Sequence, residues 1–295
     1  MLIARLIADR SDLLTRIEGL KHTLEAEGLP ITASVSEIDA AVVLEIQTMG
    51  GSARVLAEAL DTVFPDADRL IVSGEEISVP KLFVSDMDST MIEQECIDEL
   101  ADFAGLKDRV ADITERAMQG ELDFEDALRE RVRLLQGLDE SAIATCLAER
   151  ITAVPGARTL VQSLRAKGCK TVLVTGGFHH FADAVAEQLS FDRVVGNRLE
   201  VAKGKLTGGL IGAITDSGVK RTVLEEEQGA LLAGSTSLAT GDGANDIPML
   251  EAADYGFAYH AKPKARAAAN GRIDRGDLTN VLHLLGIAQG DWITT

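Results

Sequence analysis

The chain is poor in several residue types whose abundance marks particular protein classes. Its 295 residues include three cysteines, Cys96, Cys146 and Cys169, and 4% aromatic residues. An odd cysteine count, at spacings that match no zinc pattern, argues against a disulfide framework, and we expect Cys96 to be a core residue. The scarcity of aromatic residues argues against a stacking platform for single-stranded nucleic acid. No apolar run reaches the roughly 18–20 residues that a helix needs to span a bilayer.

The chain also has fewer basic residues than acidic ones. The chain has 29 Lys and Arg against 47 Asp and Glu, which gives a net charge of −18. Such a surface repels phosphate backbones and anionic lipids, so we expect neither nucleic acid nor a membrane as a partner. A small anionic substrate stays compatible, because a local cluster of metal, Lys and Arg reverses the sign inside one cleft. The absence of a signal-peptide pattern and of disulfides favours the cytoplasm.

The first 75 residues have the pattern of a small α+β unit. Apolar runs predict strands at 2–8, 31–35, 40–46 and 69–72, and helical spacing predicts helices at about 11–27 and 50–63, the first with Ser11 as N-cap. The order strand, helix, strand, strand, helix, strand is the ferredoxin-like pattern, which ACT-like sensing modules share. We therefore predict a regulatory or dimerisation domain at 1–75, which leaves a homodimer open.

The remainder of the chain, 81–295, alternates between strands and helices. Short apolar runs at 81–85, 170–174 and 237–240 predict buried strands, 194–211 predicts a hairpin, and 157–167 and 248–253 predict helices. Strands separated by helices indicate a doubly wound, Rossmann-like parallel sheet in an α/β domain. Residues 91–153 are rich in helix formers and contain no convincing strand, so we predict a helical cap inserted after the first strand of this sheet.

Two carboxylates follow the first predicted strand of this domain directly. In an open α/β sheet, ligands bind beyond the carboxyl ends of the strands, where Asp86 and Asp88 are expected. One carboxylate can attack phosphorus as a nucleophile, and another two residues away can act as general acid and base. Carboxylates so close together need a cation, and hard oxygen ligands favour Mg²⁺. An acidic N-cap turn is the alternative explanation for a lone Asp-x-Asp pair.

Two further polar motifs follow predicted strands. Thr175 and Gly176 offer a hydroxyl and an accessible backbone N–H to an anion, although an ordinary strand-to-helix turn would look the same. In the segment GDGAND at 241–246, Asp242 is a candidate metal ligand, Asn245 can donate to a phosphoryl oxygen, and Asp246 can support the loop. The alternative for this acidic segment is an EF-hand calcium loop, but the sequence has no glutamate at the spacing that such a loop requires.

The three motifs occur in the order that the haloacid dehalogenase superfamily shows, over residues 81–285. Within it, the chain resembles the phosphoserine phosphatases most closely. The similar segments are DMDSTMIEQECIDELADFAG at 86–105, LDFEDALRERVRLL at 122–135 and NRLEVAKGKLTG at 197–208. One departure is Thr175, where that family usually has serine, which keeps the hydroxyl and adds a methyl group.

The resemblance implies roles for four more residues. Glu95 would bind the substrate ammonium, Arg131 would bind its carboxylate, Phe124 would shield the site, and Lys220 would bind phosphate. Arg221 is adjacent to Lys220 and is the alternative basic residue. For Arg131, a solvated helix charge is the plainer interpretation without the family pattern. The histidines 179 and 180 after the second motif are expected at the surface rather than in catalysis.

The implied function is Mg²⁺-dependent hydrolysis of O-phospho-L-serine through an aspartyl-phosphate, the last step of serine biosynthesis. Asp86, the backbone carbonyl of Asp88 and Asp242 would hold the metal. The alternatives are a related phosphatase or phosphotransferase for another small phosphorylated metabolite, and a binding protein that has lost catalysis. The intact acids disfavour the second of these.

Overall fold

The computed structural model describes residues 1–38, 41–74, 76–118 and 121–294 of the chain. The N-terminal elements follow one another in the predicted order. They are strand β1 (Leu2–Ala8), helix α1 (Leu13–Ala26), strands β2 (Ile31–Ile38) and β3 (Ala41–Thr48), helix α2 (Ala53–Val63) and strand β4 (Arg69–Ser73). All pairings among these four strands are antiparallel, in the spatial order β2-β3-β1-β4. Of the predicted third strand, Ala40 lies outside the described residues.

The two N-terminal helices begin in different ways. Helix α2 begins as expected, with the Ser52 hydroxyl accepting a hydrogen bond from the Arg54 N–H at 3.2 Å. The prediction that Ser11 caps α1 was wrong: Asp12 precedes the helix with φ 56° and makes no side-chain cap. The buried face of α1 starts only at Leu13, so packing against the sheet rather than a capping side chain determines where this helix begins.

The rest of the chain forms a larger α/β unit. Its strands are β5 (Leu82–Ser85), β6 (Lys170–Phe178), β7 (Arg193–Ala202), β8 (Lys205–Ile211), β9 (Ser237–Gly241), β10 (Tyr255–Tyr259) and β11 (Gly271–Ile273). Its helices are α3 (Cys96–Phe103), α4 (Lys107–Met118), α5 (Phe124–Leu134), α6 (Ser141–Arg150), α7 (Ala157–Ala166), α8 (His179–Leu189), α9 (Ser217–Gly229), α10 (Ile247–Ala252), α11 (Pro263–Ala268) and α12 (Thr279–Leu284).

The central sheet of this unit is parallel, as predicted. Strands β11, β10, β9, β5, β6 and β7 lie side by side in that order with parallel pairing, and β8 adds an antiparallel edge. Strand β5 lies near the middle and is buried along its whole length. Fully buried strands of this kind read as continuous apolar runs, which is why the segment at 81–85 was recognisable.

Helices α3 to α6 form a separate group between β5 and α7. The chain leaves and re-enters the sheet side by side: Ile92 and Ala153 form an antiparallel bridge, and the Glu93 N–H donates to the Thr152 carbonyl at 3.0 Å. This two-stranded connection ties the group to the end of β5, where Asp86 and Asp88 lie. It falls at the ends of the predicted cap.

A single sheet of eleven strands runs through both units. The junction is a short antiparallel pairing of β4 with β11, in which Arg69 lies opposite Arg272. Asp61 accepts hydrogen bonds from both arginines, at 3.3 and 2.6 Å, and Asp274 lies 3.2 Å from Arg272, so carboxylates offset the two adjacent positive charges. The sequence did not indicate this continuity, because a pairing this short carries no periodic pattern.

Two expectations from composition can be compared with the structure directly. Cys96, Cys146 and Cys169 are all free and buried, and the core position predicted for Cys96 is confirmed. Among the helices that the structure describes, none is long and apolar enough to cross a membrane.

Candidate active site

The predicted site residues come together at the carboxyl edge of the parallel sheet. Strands β5, β6 and β9 are neighbours, so the motifs that end them meet at one edge. They open into a cavity of about 210 Å³ between the sheet and the helices α3 to α6. The predicted residues lining it are Asp86, Asp88, Glu95, Phe124, Arg131, Thr175, Gly176, Asp242 and Asn245.

Lys220 and Asp246 lie directly behind this lining. The Lys220 ammonium is 2.7 Å from Asp86 Oδ1 and 2.7 Å from Asp246 Oδ1, and all three side chains are buried. Burial lowers the pKa of Lys220, but the attraction of Asp86 and Asp246 outweighs it and raises that pKa above its ordinary value. Burial, and then the charge of Asp246, raise the pKa of Asp86 despite the lysine.

Of the two basic candidates in α9, Lys220 is the one at the site. Arg221 points outward and pairs with Glu225 on the exposed face of the helix, at 2.7 Å. Lys220 lies on the buried face with Val223 and Leu224. Residues three and four positions apart lie on the same face of a helix, so Lys220 shares a face with Val223 and Leu224. The helical period in the sequence therefore already distinguishes Lys220 from Arg221.

The carboxylates at this edge fit a divalent cation. Oxygen atoms of Asp86, Asp242 and Asp246 all lie within 4.8 Å of one another, and the three residues are buried. Asp88 Oδ1 is also buried, and among the described residues it has no hydrogen-bond partner. One buried lysine does not balance four such carboxylates, and a set of hard oxygen donors suits Mg²⁺ or a similar ion. Asp246, predicted as a supporting residue, thus belongs to the carboxylate cluster itself.

Asp88 is suited to proton transfer near neutral pH. Burial, followed by the nearby charge of Glu95, raises the pKa of Asp88 to about 7. Burial and then Asp246 raise the pKa of Asp242 to about 6. A carboxyl group whose pKa is close to the working pH exchanges its proton readily in both directions, which a general acid that later acts as a base requires.

Asp246 also shapes the loop that carries Asp242. Its Oδ2 accepts hydrogen bonds from the backbone N–H groups of Asp242 and Gly243, at 3.1 and 3.0 Å, while Oδ1 accepts from Lys220. The carboxylate packs so closely over Gly241 that an added Cβ there would lie 2.5 Å from Asp246 Cβ and Cγ. The first glycine of the third motif is therefore required for packing, and its φ is unexceptional.

We expect Gly241→Ala to lower both activity and stability, because the new methyl group would displace Asp246 and with it Lys220. The predicted loss is roughly 10²-fold or more in kcat, with about 2–3 kcal/mol lower free energy of unfolding. Steady-state kinetics and urea unfolding measure the two effects. Gly229→Ala is the matched control, since nothing lies within 4 Å of its Cβ position. Equal behaviour of the two variants would contradict the role given to Gly241.

The second motif is not the ordinary strand-to-helix turn that was its alternative explanation. Strand β6 continues through Thr175 and Gly176 to Phe178, with irregular pairing to β7 between Val174 and Phe178. The buried Thr175 hydroxyl accepts a hydrogen bond from the Gly177 N–H at 2.8 Å. Asn197 on β7, which the sequence analysis did not single out, donates to the Gly176 carbonyl at 2.7 Å. The irregular strand end bends these backbone groups towards the cavity.

Glu95 and Arg131 approach the cavity from the α3 to α6 group. Glu95 accepts a hydrogen bond from the Ser89 hydroxyl at 3.0 Å, and Ser89 has a left-handed backbone with φ 54°. Arg131 is half-buried on α5, where its Nε donates to the Ala127 carbonyl. Burial lowers the pKa of Arg131, while Asp98 and Glu95 raise it. One acidic and one basic side chain of the helical group therefore line the same cavity as Asp86.

Phe124 connects the helical group to the sheet. It is the first residue of α5, behind the N-cap Asp123, and its side chain remains 39% exposed. A Cβ at Gly176 would lie 3.3 Å from the end of the Phe124 ring. The ring thus lies against the second motif, and the glycine leaves room for it.

Lys262 also lines the cavity, and sequence analysis missed it. It follows β10, so the rule that ligands bind at strand ends could have drawn attention to it. Neither histidine after the second motif is part of the lining; His179 is half-buried and pairs with Asp183 at 2.8 Å.

Comparison with known proteins identifies the class. The family model of haloacid dehalogenase-like hydrolases matches residues 83–251, which is more than half of the chain, and a second model with the same description matches 231–283. The chain belongs to the haloacid dehalogenase-like hydrolase family, and it is a hydrolase of the phosphatase type.

Curated relatives narrow the class to phosphoserine phosphatases. The chain is 45% identical to the phosphoserine phosphatase of Albidiferax ferrireducens over 69% of its own length and 89% of that protein. It is 40% identical to the Saccharomyces cerevisiae enzyme, over 75% and 72% of the two chains. It is 43% identical to that of Streptomyces coelicolor, of whose length it spans 54%. The predicted resemblance is confirmed, and the chain belongs to the phosphoserine phosphatase family.

Solved structures agree with the fold along the whole chain. A HAD-family hydrolase from Salmonella enterica serovar Typhi superimposes with a TM-score of 0.81 at 28% identity, over 97% of this chain and 99% of that one. A probable phosphoserine phosphatase from Vibrio cholerae gives 0.72 at 31% identity, over 98% and 87%. A substrate-bound phosphoserine phosphatase complex gives 0.63 at 36% identity, over 71% and 99%.

Proposed function

We propose that this chain hydrolyses O-phospho-L-serine to L-serine and phosphate, with Mg²⁺, through an aspartyl-phosphate on Asp86. The observation that carries the proposal is one cavity lined by two chemically distinct groups of side chains. Asp86 and Asp242 come from the sheet edge, with Lys220 paired to Asp86 behind them, and Glu95 and Arg131 come from the helical group. The first group suits a phosphoryl group and its metal, and the second suits a zwitterionic amino acid.

In the first step Asp86 attacks phosphorus, and the bond to the seryl oxygen breaks. Asp88, protonated, donates its proton to that oxygen as it leaves, so that neutral serine hydroxyl is released. Thr175, Lys220 and Asn245 bind the phosphoryl oxygens while charge redistributes over them. Asp86, the backbone carbonyl of Asp88 and Asp242 would hold the cation. When bound, Mg²⁺ offsets the repulsion among the carboxylates and polarises the phosphoryl group.

In the second step Asp88, now a carboxylate, takes a proton from a water molecule that attacks the aspartyl-phosphate. The acyl–phosphate bond breaks, phosphate leaves and Asp86 is regenerated. The cap at about 91–153 must exclude water during the first step and admit it for the second. The Phe124 ring against Gly176 is suited to this shielding.

The test is phosphate release from O-phospho-L-serine with and without Mg²⁺, beside phosphothreonine, phosphoethanolamine and an aryl phosphate. We expect strong metal-dependent turnover of phosphoserine and poor turnover of phosphoethanolamine, because phosphoethanolamine leaves Arg131 without a carboxylate. Calcium should not replace Mg²⁺, since its larger coordination shell does not suit a compact site. Activity on the aryl phosphate alone would agree with the phosphatase mechanism and would show that the assignment of O-phospho-L-serine as the substrate is wrong.

For the N-terminal residues 1–75 we propose a ferredoxin-like, ACT-like domain that regulates activity or mediates dimerisation, with the catalytic domain at 81–295. The support is the antiparallel strand order β2-β3-β1-β4 and a separate core cluster formed by residues such as Leu20, Leu44 and Leu60. Sedimentation of the intact chain tests dimerisation, and activity with added L-serine tests regulation. Three free cysteines support the cytoplasm as its location.

A further inference from the structure

Lys262 lies where the cavity meets solvent. It follows strand β10, and its backbone N–H donates to the Asp242 carbonyl at 2.9 Å, which ties this part of the chain to the third motif. Its side chain is 69% exposed, with the ammonium 3.7 Å from Asp242 Oδ2. A pair that long and that exposed is weak, because solvent screens it and the side chain keeps its freedom. The ammonium therefore stays available to an approaching ligand.

The other cations of the site are placed differently. Lys220 is fully buried and engaged by two carboxylates, and Arg131 is half-buried on α5. Lys262 is thus the exposed cation of the cavity lining in the described part of the chain. The chain as a whole carries a net charge of −18, which repels a phosphomonoester at long range. A positive charge at the opening of the cavity therefore has a large effect on the approach of an anionic substrate, because the rest of the protein repels it.

A second cleft adjoins the cavity at Phe124 and Asn245. Phe124 and Asn245 line both the cavity and an adjacent cleft, which runs between the start of α5 and the start of α9. Among the described residues, the charged side chains lining this cleft are acidic and exposed: Asp123, Glu125 and Asp216. The cavity lining carries the exposed cation Lys262, whereas the described charged side chains of the adjacent cleft are all acidic, so an approaching anion meets an exposed cation on the Lys262 side and exposed carboxylates in the cleft.

We infer that Lys262 captures the phosphate-bearing substrate by electrostatic attraction, and that the substrate reaches Asp86 past Lys262 rather than through the acidic cleft. The inference rests on the proposed function only in that the substrate is a phosphomonoester. Lys262 does not touch the reacting atoms in this proposal. It raises the rate of association with the anion and the affinity for it, and both effects weaken as salt screens the charges.

The experiment compares Lys262→Gln with the unaltered enzyme at increasing KCl concentration. At low ionic strength we expect kcat/KM for O-phospho-L-serine to fall roughly 3- to 10-fold with kcat unchanged, and the difference to disappear near 0.5 M salt. Lys264→Gln is the matched control, because Lys264 is exposed two residues further on, in α11, and outside the cavity lining. It should change kcat/KM less than about 1.5-fold.

Two further measurements separate the outcomes. Calorimetric binding of inorganic phosphate should be weakened by Lys262→Gln at low salt only, which tests capture without turnover. Glu125→Gln, in the acidic cleft, should change kcat/KM less than Lys262→Gln does; a gain larger than the Lys262 loss would overturn the route. A fall in kcat, or a loss that persists at high salt, would overturn the capture role. If only the aryl phosphate is turned over but shows the salt-dependent loss, the substrate assignment fails while this inference stands.

Discussion

Asp86→Asn is expected to lower kcat by at least roughly 10⁴-fold with O-phospho-L-serine, because the amide cannot form the acyl phosphate. The chain should remain folded. Asp86 is one of three buried carboxylates whose oxygens lie within 4.8 Å of one another, so removing one charge relieves repulsion. Lys220 keeps Asp246 as its partner at 2.7 Å. Phosphate release and thermal unfolding in the presence of a chelator measure the two properties.

The control for this variant is Asp139→Asn, which removes a carboxylate that is 67% exposed and paired with Lys205 at the surface. It should leave both kcat and the midpoint of unfolding close to those of the unaltered chain. If Asp86→Asn kept kcat within tenfold, another group would have to be the nucleophile. If it lost activity only by unfolding, the experiment would report on stability, and a circular dichroism spectrum would show this directly.

Arg131→Met is expected to change substrate preference rather than to abolish catalysis. Methionine keeps much of the apolar packing of the side-chain stem on α5, so the helix should be retained. We expect kcat/KM for O-phospho-L-serine to fall roughly 10²- to 10³-fold, because the substrate carboxylate loses its charged partner in a half-buried site. Phosphoethanolamine lacks this carboxylate, so its kcat/KM should change less than about 3-fold. Parallel kinetics with the two substrates measure the shift.

Two variants of the same helix sharpen this test. Arg133→Met removes an exposed positive charge two residues away, outside the cavity lining, and should leave both substrates unaffected. Arg131→Lys keeps the charge without the planar fork and should recover part of the phosphoserine activity. Equal losses with both substrates in Arg131→Met would assign Arg131 to the fold of the cap, and the carboxylate role would then be wrong.

The carboxyl ends of the sheet were predictable from local sequence, as Asp86 and Asp242 illustrate. Each follows a short, fully buried strand, and both are near the polar end of an apolar run. Because parallel strands place their carboxyl ends at one edge, the pattern predicted that these acids would meet. The burial of Lys220 and the exposure of Arg221 were also within reach of the helical period.

Other features depend on how the loops fold and on what buries them. The inclusion of Asp246 in the carboxylate cluster, and its hydrogen bonds to two backbone N–H groups, follow from the fold of a six-residue loop around Gly241. The raised pKa of Asp88 follows from its burial and then from Glu95 across the cap connection. Neither environment is visible in the composition or spacing of the motif itself.

The sequence by itself therefore determined the α/β architecture, the meeting of Asp86 and Asp242 at one sheet edge and the phosphoserine phosphatase resemblance, because buried strands and the motifs that end them are local patterns. Tertiary structure alone decided that one sheet of eleven strands joins both units, and that Lys262 lines the cavity while acidic side chains line the adjacent cleft at Phe124. These features arise from contacts between distant segments. Burial and the sign of a local charge depend on which segments meet, and that is set by packing of the whole chain.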